Sequence, residues 1–164
     1  MEYAVLYYSE SGNTEELAKH IYTAIDSTEK SLINLGQQSK VPQADVYFVG
    51  FPIHQNNCGI KVVDALEQIE SGKLALFATC GITPTATYQK KLEETIEIWI
   101  ADEVEYLGMF LCQGRIVEKQ REVYYNANPE YRQKLEDMFD EGDYHPNRDD
   151  YKDAVRYVHS VLQN

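Results

Sequence analysis

The stretch Ser9-Glu10-Ser11-Gly12-Asn13-Thr14 carries the clearest chemistry in the chain. It follows a short apolar run and leads into a helical pattern, so its hydroxyls, its glycine and its backbone N–H groups gather at a helix N-terminus. Oriented N–H donors and the positive end of the helix dipole make such a place an anion site. The hexapeptide contains no Lys or Arg. It matches neither the triphosphate pattern G-x-x-x-x-G-K-[ST] nor the dinucleotide pattern G-x-G-x-x-G. A lysine-free site of this shape suits one terminal phosphate monoester. A plainer reading of the same residues is a helix cap, with Asn13 and Glu16 as a capping box.

Two other loops bear on the same site. They are Pro52-Ile53-His54-Gln55-Asn56-Asn57 and Thr79-Cys80-Gly81-Ile82-Thr83-Pro84-Thr85. Each follows a buried apolar run, and in open α/β sheets ligands bind beyond the carboxyl ends of the strands, near the switch point of strand order. His54 reads either as a surface histidine or as a ligand contact. Cys80 does not read as a nucleophile, since no arginine follows it at phosphatase spacing and no histidine is near in sequence.

The elements that must hold these loops alternate along the chain. Tyr3 to Tyr8, Val46 to Phe51 and Leu74 to Thr79 are apolar runs of the kind a strand buried on both faces shows. Ser31 to Leu35 is a weaker strand pattern, and Val104 to Cys112 is a fifth, with Gly108 as a candidate bulge. Between them lie helical stripes: Leu17, Ala18, Ile21, Tyr22 and Ile25; then Ile60, Val63, Leu66 and Ile69, closed by a turn at Gly72; then Tyr88, Leu92, Ile96 and Ile100. Strands separated by helices predict an open parallel α/β sheet with helices on both faces.

An acidic excursion from about residue 113 to 146 breaks the alternation. There Asn128-Pro129-Glu130 reads as a cap opening one short helix to about Phe139. Its acidic residues Glu136, Asp137, Asp140, Glu141 and Asp143 form a solvated face, or else a docking surface. Asn147 with Asp150 caps the last helix, whose stripe is Tyr151, Ala154, Val155, Val158 and Leu162.

Composition narrows the classes. The 164 residues make one domain, and 43% come from the apolar set, which is enough for a core. Twenty-seven acidic residues against 15 basic ones leave a net charge of −12. Such a chain offers no basic stripe for nucleic acid and is repelled by anionic membranes. Its field favours a partner with a basic face. The three cysteines, Cys58, Cys80 and Cys112, form no CxxC, zinc or even disulfide framework. No signal-like N-terminus is visible and no apolar stretch approaches ~18 residues, so the expectation is a cytoplasmic protein without membrane insertion.

With a strand before it and a helix after it, Ser-x-Ser-Gly-Asn-Thr resembles the phosphate loop of the flavodoxins, FMN-carrying electron-transfer proteins. The resemblance covers Met1 to Cys112 and resumes at the last helix. It extends to a group of small flavodoxin-like proteins with Cys-Gln-Gly after the fifth strand, here Cys112-Gln113-Gly114. It implies a three-layer α/β sandwich with a five-stranded parallel sheet in the order 2-1-3-4-5 and FMN as cofactor. It further implies that Ser9, Glu10, Ser11, Gly12, Asn13 and Thr14 hold the phosphate. Pro52, Ile53, His54, Gln55 and Asn56 would flank the flavin ring from the second loop, and Thr79, Cys80, Gly81 and Thr83 from the third.

The chain also departs from the family, whose flavodoxins sandwich the ring between a tryptophan and a tyrosine. Its only tryptophan, Trp99, lies on a helix, and Tyr88 falls inside the third helical stripe. The expectation is a ring held by His54 or Ile53 on one side and partly open on the other. The function implied is an electron carrier serving redox partner proteins, with the alternatives of an FMN-dependent NAD(P)H oxidoreductase or an interaction module that has lost FMN. A carrier of this kind needs no acid, base or nucleophile of its own. A negatively charged protein disfavours further negative charge on a flavin and lowers its potential.

Overall fold

A computed structural model describes residues 1–163 of the chain. The strands are β1 (Tyr3–Tyr7), β2 (Lys30–Asn34), β3 (Val46–Pro52), β4 (Gly72–Cys80) and β5 (Val104–Gln113). All pairings are parallel, and the sheet runs in the order β2-β1-β3-β4-β5. The helices are α1 (Asn13–Ala24), α2 (Ile60–Glu67), α3 (Ala86–Glu97), α4 (Glu118–Ala127), α5 (Arg132–Gly142) and α6 (Arg148–Leu162), with a short 3-10 turn at Pro129–Tyr131. The flavodoxin-like order expected from the sequence is the one observed.

The two-residue period of the strands builds two cores. Ala4 and Leu6 point to the face covered by α2 and α3, where Val62, Leu66, Leu92 and Ile96 are buried. Val5 and Tyr7 point to the face covered by α1 and α6, against Leu17, Ile21, Ala154 and Val158. Phe48 and Phe77 fill that second core, and Gly50 lets the Phe77 ring lie flat over β3, since a Cβ at Gly50 would sit 1.9 Å from it. Gly108 does bulge β5. Tyr106 pairs with Leu74 and Gly108 with Ala75, leaving Leu107 without a partner residue on β4.

Three local expectations change. Ile60 is 71% exposed at the start of α2, and Val62 takes its place in the buried stripe. Gly72 begins β4 rather than closing a turn. Its φ of +100° is left-handed, and a Cβ on it would meet Asp45 O at 2.8 Å, so both the backbone and its surroundings require glycine there.

The largest change lies in the excursion, which holds α4 and α5 instead of one helix opened by Asn128. The Asn128 side chain donates to Tyr124 O and so finishes α4. The cap at α6 is as expected: Asn147 Oδ1 accepts from Asp149 N and Asp150 N, and Asp150 Oδ2 accepts from Asn147 N. Among the described residues no helix is long and apolar enough to cross a membrane.

Candidate functional site

The loop after β1 turns into α1 through Gly12, whose φ of +92° is left-handed and whose missing Cβ faces open space. Ser9 Oγ accepts from Gly12 N and Glu15 N, both at 3.2 Å, and fixes the loop's curvature. Glu16 N donates to Gly12 O to close the first helical turn. The N-cap residue is Gly12, which has no side chain to offer, so the capping box of Asn13 and Glu16 does not form and Ser9 Oγ takes the Glu15 N–H instead. The backbone N–H groups of Ser11, Asn13 and Thr14 consequently have no protein acceptor among the described residues. The first turn of a helix normally leaves such donors to a side chain, water or a ligand.

Side chains of this loop reach outward in three directions. Thr14 Oγ1 meets Thr79 Oγ1 at 3.1 Å in the interior, tying α1 to the end of β4. Thr14 offers an anion its backbone N–H, and also its hydroxyl proton when Thr79 is the donor of the pair. Asn13 Nδ2 donates to Arg115 O at 3.0 Å. Glu10 Oε2 lies 3.0 Å from His54 Nε2, joining the first loop to the second.

The second loop is a tight turn. His54 and Asn57 exchange backbone hydrogen bonds around Gln55 and Asn56, whose φ values of 48° and 61° are both left-handed. Asparagine tolerates that region better than most residues. Ile53 N donates to Thr79 O at 2.8 Å, which locks this turn to the third loop.

The third loop is held from β5. Gly114 N donates to Cys80 O, and Gln113, although 4% exposed, satisfies both its amide protons, on Gly81 O at 3.0 Å and Met138 O at 2.7 Å. These contacts account for the Gln-Gly pair of Cys112-Gln113-Gly114. Gln113 bridges β4 to α5, and a Cβ on Gly114 would crowd Asn13 Nδ2 at 2.7 Å. Burial pushes the Cys80 thiol up to about 12, so it is a neutral thiol near pH 7. That agrees with its dismissal as a nucleophile.

The excursion supplies the remaining wall. Arg121, buried on α4, donates through Nε to Ile116 O, through Nη1 to Asp140, and through Nη2 to Phe139 O and Asp143. It binds α4 to α5, so Asp140 and Asp143 are more than a solvated acidic face.

These elements enclose a cavity of about 150 Å³ at the carboxyl end of the sheet. Glu10, Ser11 and Asn13 form one end of it. Pro52, Ile53 and His54 form one side, and Thr79, Cys80 and Gly81 form the floor. Arg115, Ile116, Val117, Gln120 and Tyr124 close the side where the sequence predicted an open face. A second cavity of about 210 Å³ adjoins it, sharing Ile53, Cys80, Ile116 and Tyr124, and adds Gln55, Asn56, Tyr88 and Phe139.

The three predicted loops thus converge. Ser9, Gly12 and Thr14 shape the site from behind. Thr83 is not brought to it, and lines a separate depression with Phe110 and His145. Sequence reasoning missed Arg115, Ile116, Gln120 and Tyr124. The signal was present in Val117, Gln120, Arg121, Tyr124 and Tyr125, which repeat at helical spacing. An arginine in the buried position of that stripe masked it.

Comparisons with known proteins agree with the architecture. A family model described as a flavodoxin domain matches residues 4–159. The chain is 29% identical to the flavodoxin-like domain-containing protein BilS of Clostridioides difficile, over 99% of this chain and 97% of that one. Oxidised flavodoxin 1 from Bacillus cereus superposes with a TM-score of 0.60 at 16% identity, covering 100% of this chain and 99% of that one. A flavoprotein from Lactobacillus acidophilus, in complex with FMN, superposes with a TM-score of 0.51 at 19% identity, covering 67% of this chain and 92% of that one.

Proposed function

The chain belongs to the flavodoxin domain family, and from that membership we propose that it is a small FMN-binding protein that carries electrons between redox partners. One observation carries the reading: Ser11 and Asn13, whose backbone N–H groups are unpaired, line one end of a cavity walled by the second and third loops, and the unpaired N–H of Thr14 follows directly behind them. Donors of this kind fit a phosphate monoester, and the apolar and aromatic walls beyond fit a planar ring. The structural neighbour that holds FMN shares this fold and supports the assignment.

In this reading Ser9 through Thr14 would hold the phosphate, mainly by backbone donors that Ser9 Oγ and the Gly12 turn orient. Pro52, Ile53, His54, Thr79, Cys80 and Gly81, which line the first cavity, would hold the ring, together with Gln55 and Asn56 of the adjoining one. Bound FMN supplies the redox chemistry, taking up and releasing electrons singly or in pairs. The chain's part is to bind, to orient and to set the field. The neutral Cys80 thiol adds no charge beside the ring, and a chain with net charge −12 disfavours added negative charge there. The same charge supports partners with a basic docking face. Three unpaired cysteine thiols support a cytoplasmic location.

The test is electron delivery. Protein reconstituted with FMN and reduced by dithionite should pass electrons to a basic acceptor such as cytochrome c. The rate should fall steeply as the screening length shrinks from about 10 Å at 0.1 M salt to about 3 Å at 1 M. Rates that do not change with salt would contradict docking through charge. Rapid direct reduction by NADPH would identify a reductase instead of a carrier.

A further inference from the structure

We propose that the segment after β5 completes the flavin site in two parts, with Arg115 as the cation for the phosphate and Tyr124 as the aromatic face for the ring. The assignment rests on the FMN reading above.

Carboxylates surround the phosphate loop. Glu10 lies on the cavity wall, and Glu15 and Glu16 stand in the first turn of α1, so a phosphate dianion would enter among carboxylates. Lys19 is engaged with Glu15 and Glu16, and His54 with Glu10. Among the described residues, Arg115 is the one Arg or Lys that lines either cavity, and its guanidinium makes no ion pair. Its backbone is held in place although its side chain is exposed. Gly114 N is fixed on Cys80 O, Arg115 O on Asn13 Nδ2, and Ile116 O on Arg121 Nε. Three successive residues are pinned, one of them directly to the phosphate loop. The fold thus delivers the cation that the loop lacks.

The second loop has no aromatic larger than His54. Tyr124 lines both cavities from the side opposite that loop. Its ring packs on Phe139 at 5.5 Å between centroids with a 59° tilt, and Arg121, one turn earlier on α4, anchors the helix that carries it. A tyrosine so supported presents a face to a planar ligand without needing a loop tryptophan.

The two roles predict different ligand discrimination, selective for Arg115 and equal for Tyr124. The apoprotein and its variants are titrated with FMN and with riboflavin, which lacks the phosphate, and both affinities are read from flavin fluorescence. Arg115→Gln should weaken FMN at least about tenfold, as loss of a charge-assisted hydrogen bond does, and leave riboflavin unchanged. Tyr124→Leu should weaken both ligands by a similar factor of about three to ten, and Tyr124→Phe should restore both. Thermal melts confirm that each variant is folded.

Equal loss of FMN and riboflavin in Arg115→Gln, or no loss in either variant, overturns this assignment while wild-type FMN binding stands. Wild-type protein that binds neither flavin overturns the FMN reading, and this assignment with it.

Discussion

The Asn13 side-chain amide donates to the backbone carbonyl of Arg115 at 3.0 Å, joining residues 102 positions apart. One end of that bond is the first residue of α1, whose N–H faces the proposed phosphate site. The other is the residue by which the chain leaves β5 for the excursion. The bond makes the phosphate loop and the far wall one unit.

Asn13→Ala removes this link without touching the core. A neutral hydrogen bond of this kind contributes about 0.5–1.5 kcal/mol, so FMN affinity should fall by a factor of roughly two to ten. Because the bond is present without FMN, the apoprotein should also melt lower, by about 2–4 °C per kcal/mol lost. Equilibrium titration with FMN checks the first figure and calorimetry the second.

Gly50→Ala acts on the sheet instead. Its new methyl would land 1.9 Å from the buried Phe77 ring, which has no room to retreat. Overpacking of this severity costs about 1–3 kcal/mol, seen as a lower urea midpoint with an unchanged slope. A midpoint equal to wild type would mean that the ring and β3 are not packed as described.

Arg121→Met leaves Ile116 O and Phe139 O without their donor and releases Asp140 and Asp143. Breaking a buried ion pair costs about 3–5 kcal/mol where the remaining charge stays buried. Here both carboxylates can reach water, so the lower end applies. Amide exchange should accelerate across α4 and α5 while β1, β3 and β4 keep their protection. FMN binding should weaken because Ile116 and Tyr124 lose their support.

Stability should fall in alkali. Burial raises all three thiols, Cys58 to about 11, Cys80 to about 12, and Cys112 further still. All are protonated in both states below the unfolded value near 8.5, so no stability is lost there. Above it the unfolded chain ionises while the folded one does not. Each thiol then removes up to about 1.4 kcal/mol per pH unit until the folded value is reached. Urea midpoints between pH 8 and 10.5 check this, and the Cys80→Ala and Cys112→Ala variants should show shallower slopes.

What could be read from the sequence follows the range of the forces involved. β1, β3 and β4 were legible because strands buried on both faces must be apolar throughout, and α6 because Asn147 and Asp150 carry its cap locally. The Ser9–Thr14 loop was legible because its conformation is set by Ser9 and Gly12 within itself. Tyr88 fell inside α3 as its spacing implied. The excursion was not legible. Its helices bury little beyond Tyr125, Phe139 and a multiply bonded Arg121, so their apolar stripe is thin, and Asn128-Pro129 looks the same whether it ends one helix or begins another. The closing of the site by Arg115, Ile116 and Tyr124 depends on contacts with Asn13, Cys80 and Phe139, which no local pattern encodes.

Titration of the apoprotein with FMN, followed by flavin fluorescence and the visible spectrum, tests the central claim most directly. The account predicts saturation at one FMN per chain, with quenched fluorescence and a perturbed flavin absorption band, and weaker binding when Ser11→Pro removes a loop N–H donor. An unperturbed spectrum with no saturable binding, or an affinity indifferent to that substitution, would contradict it.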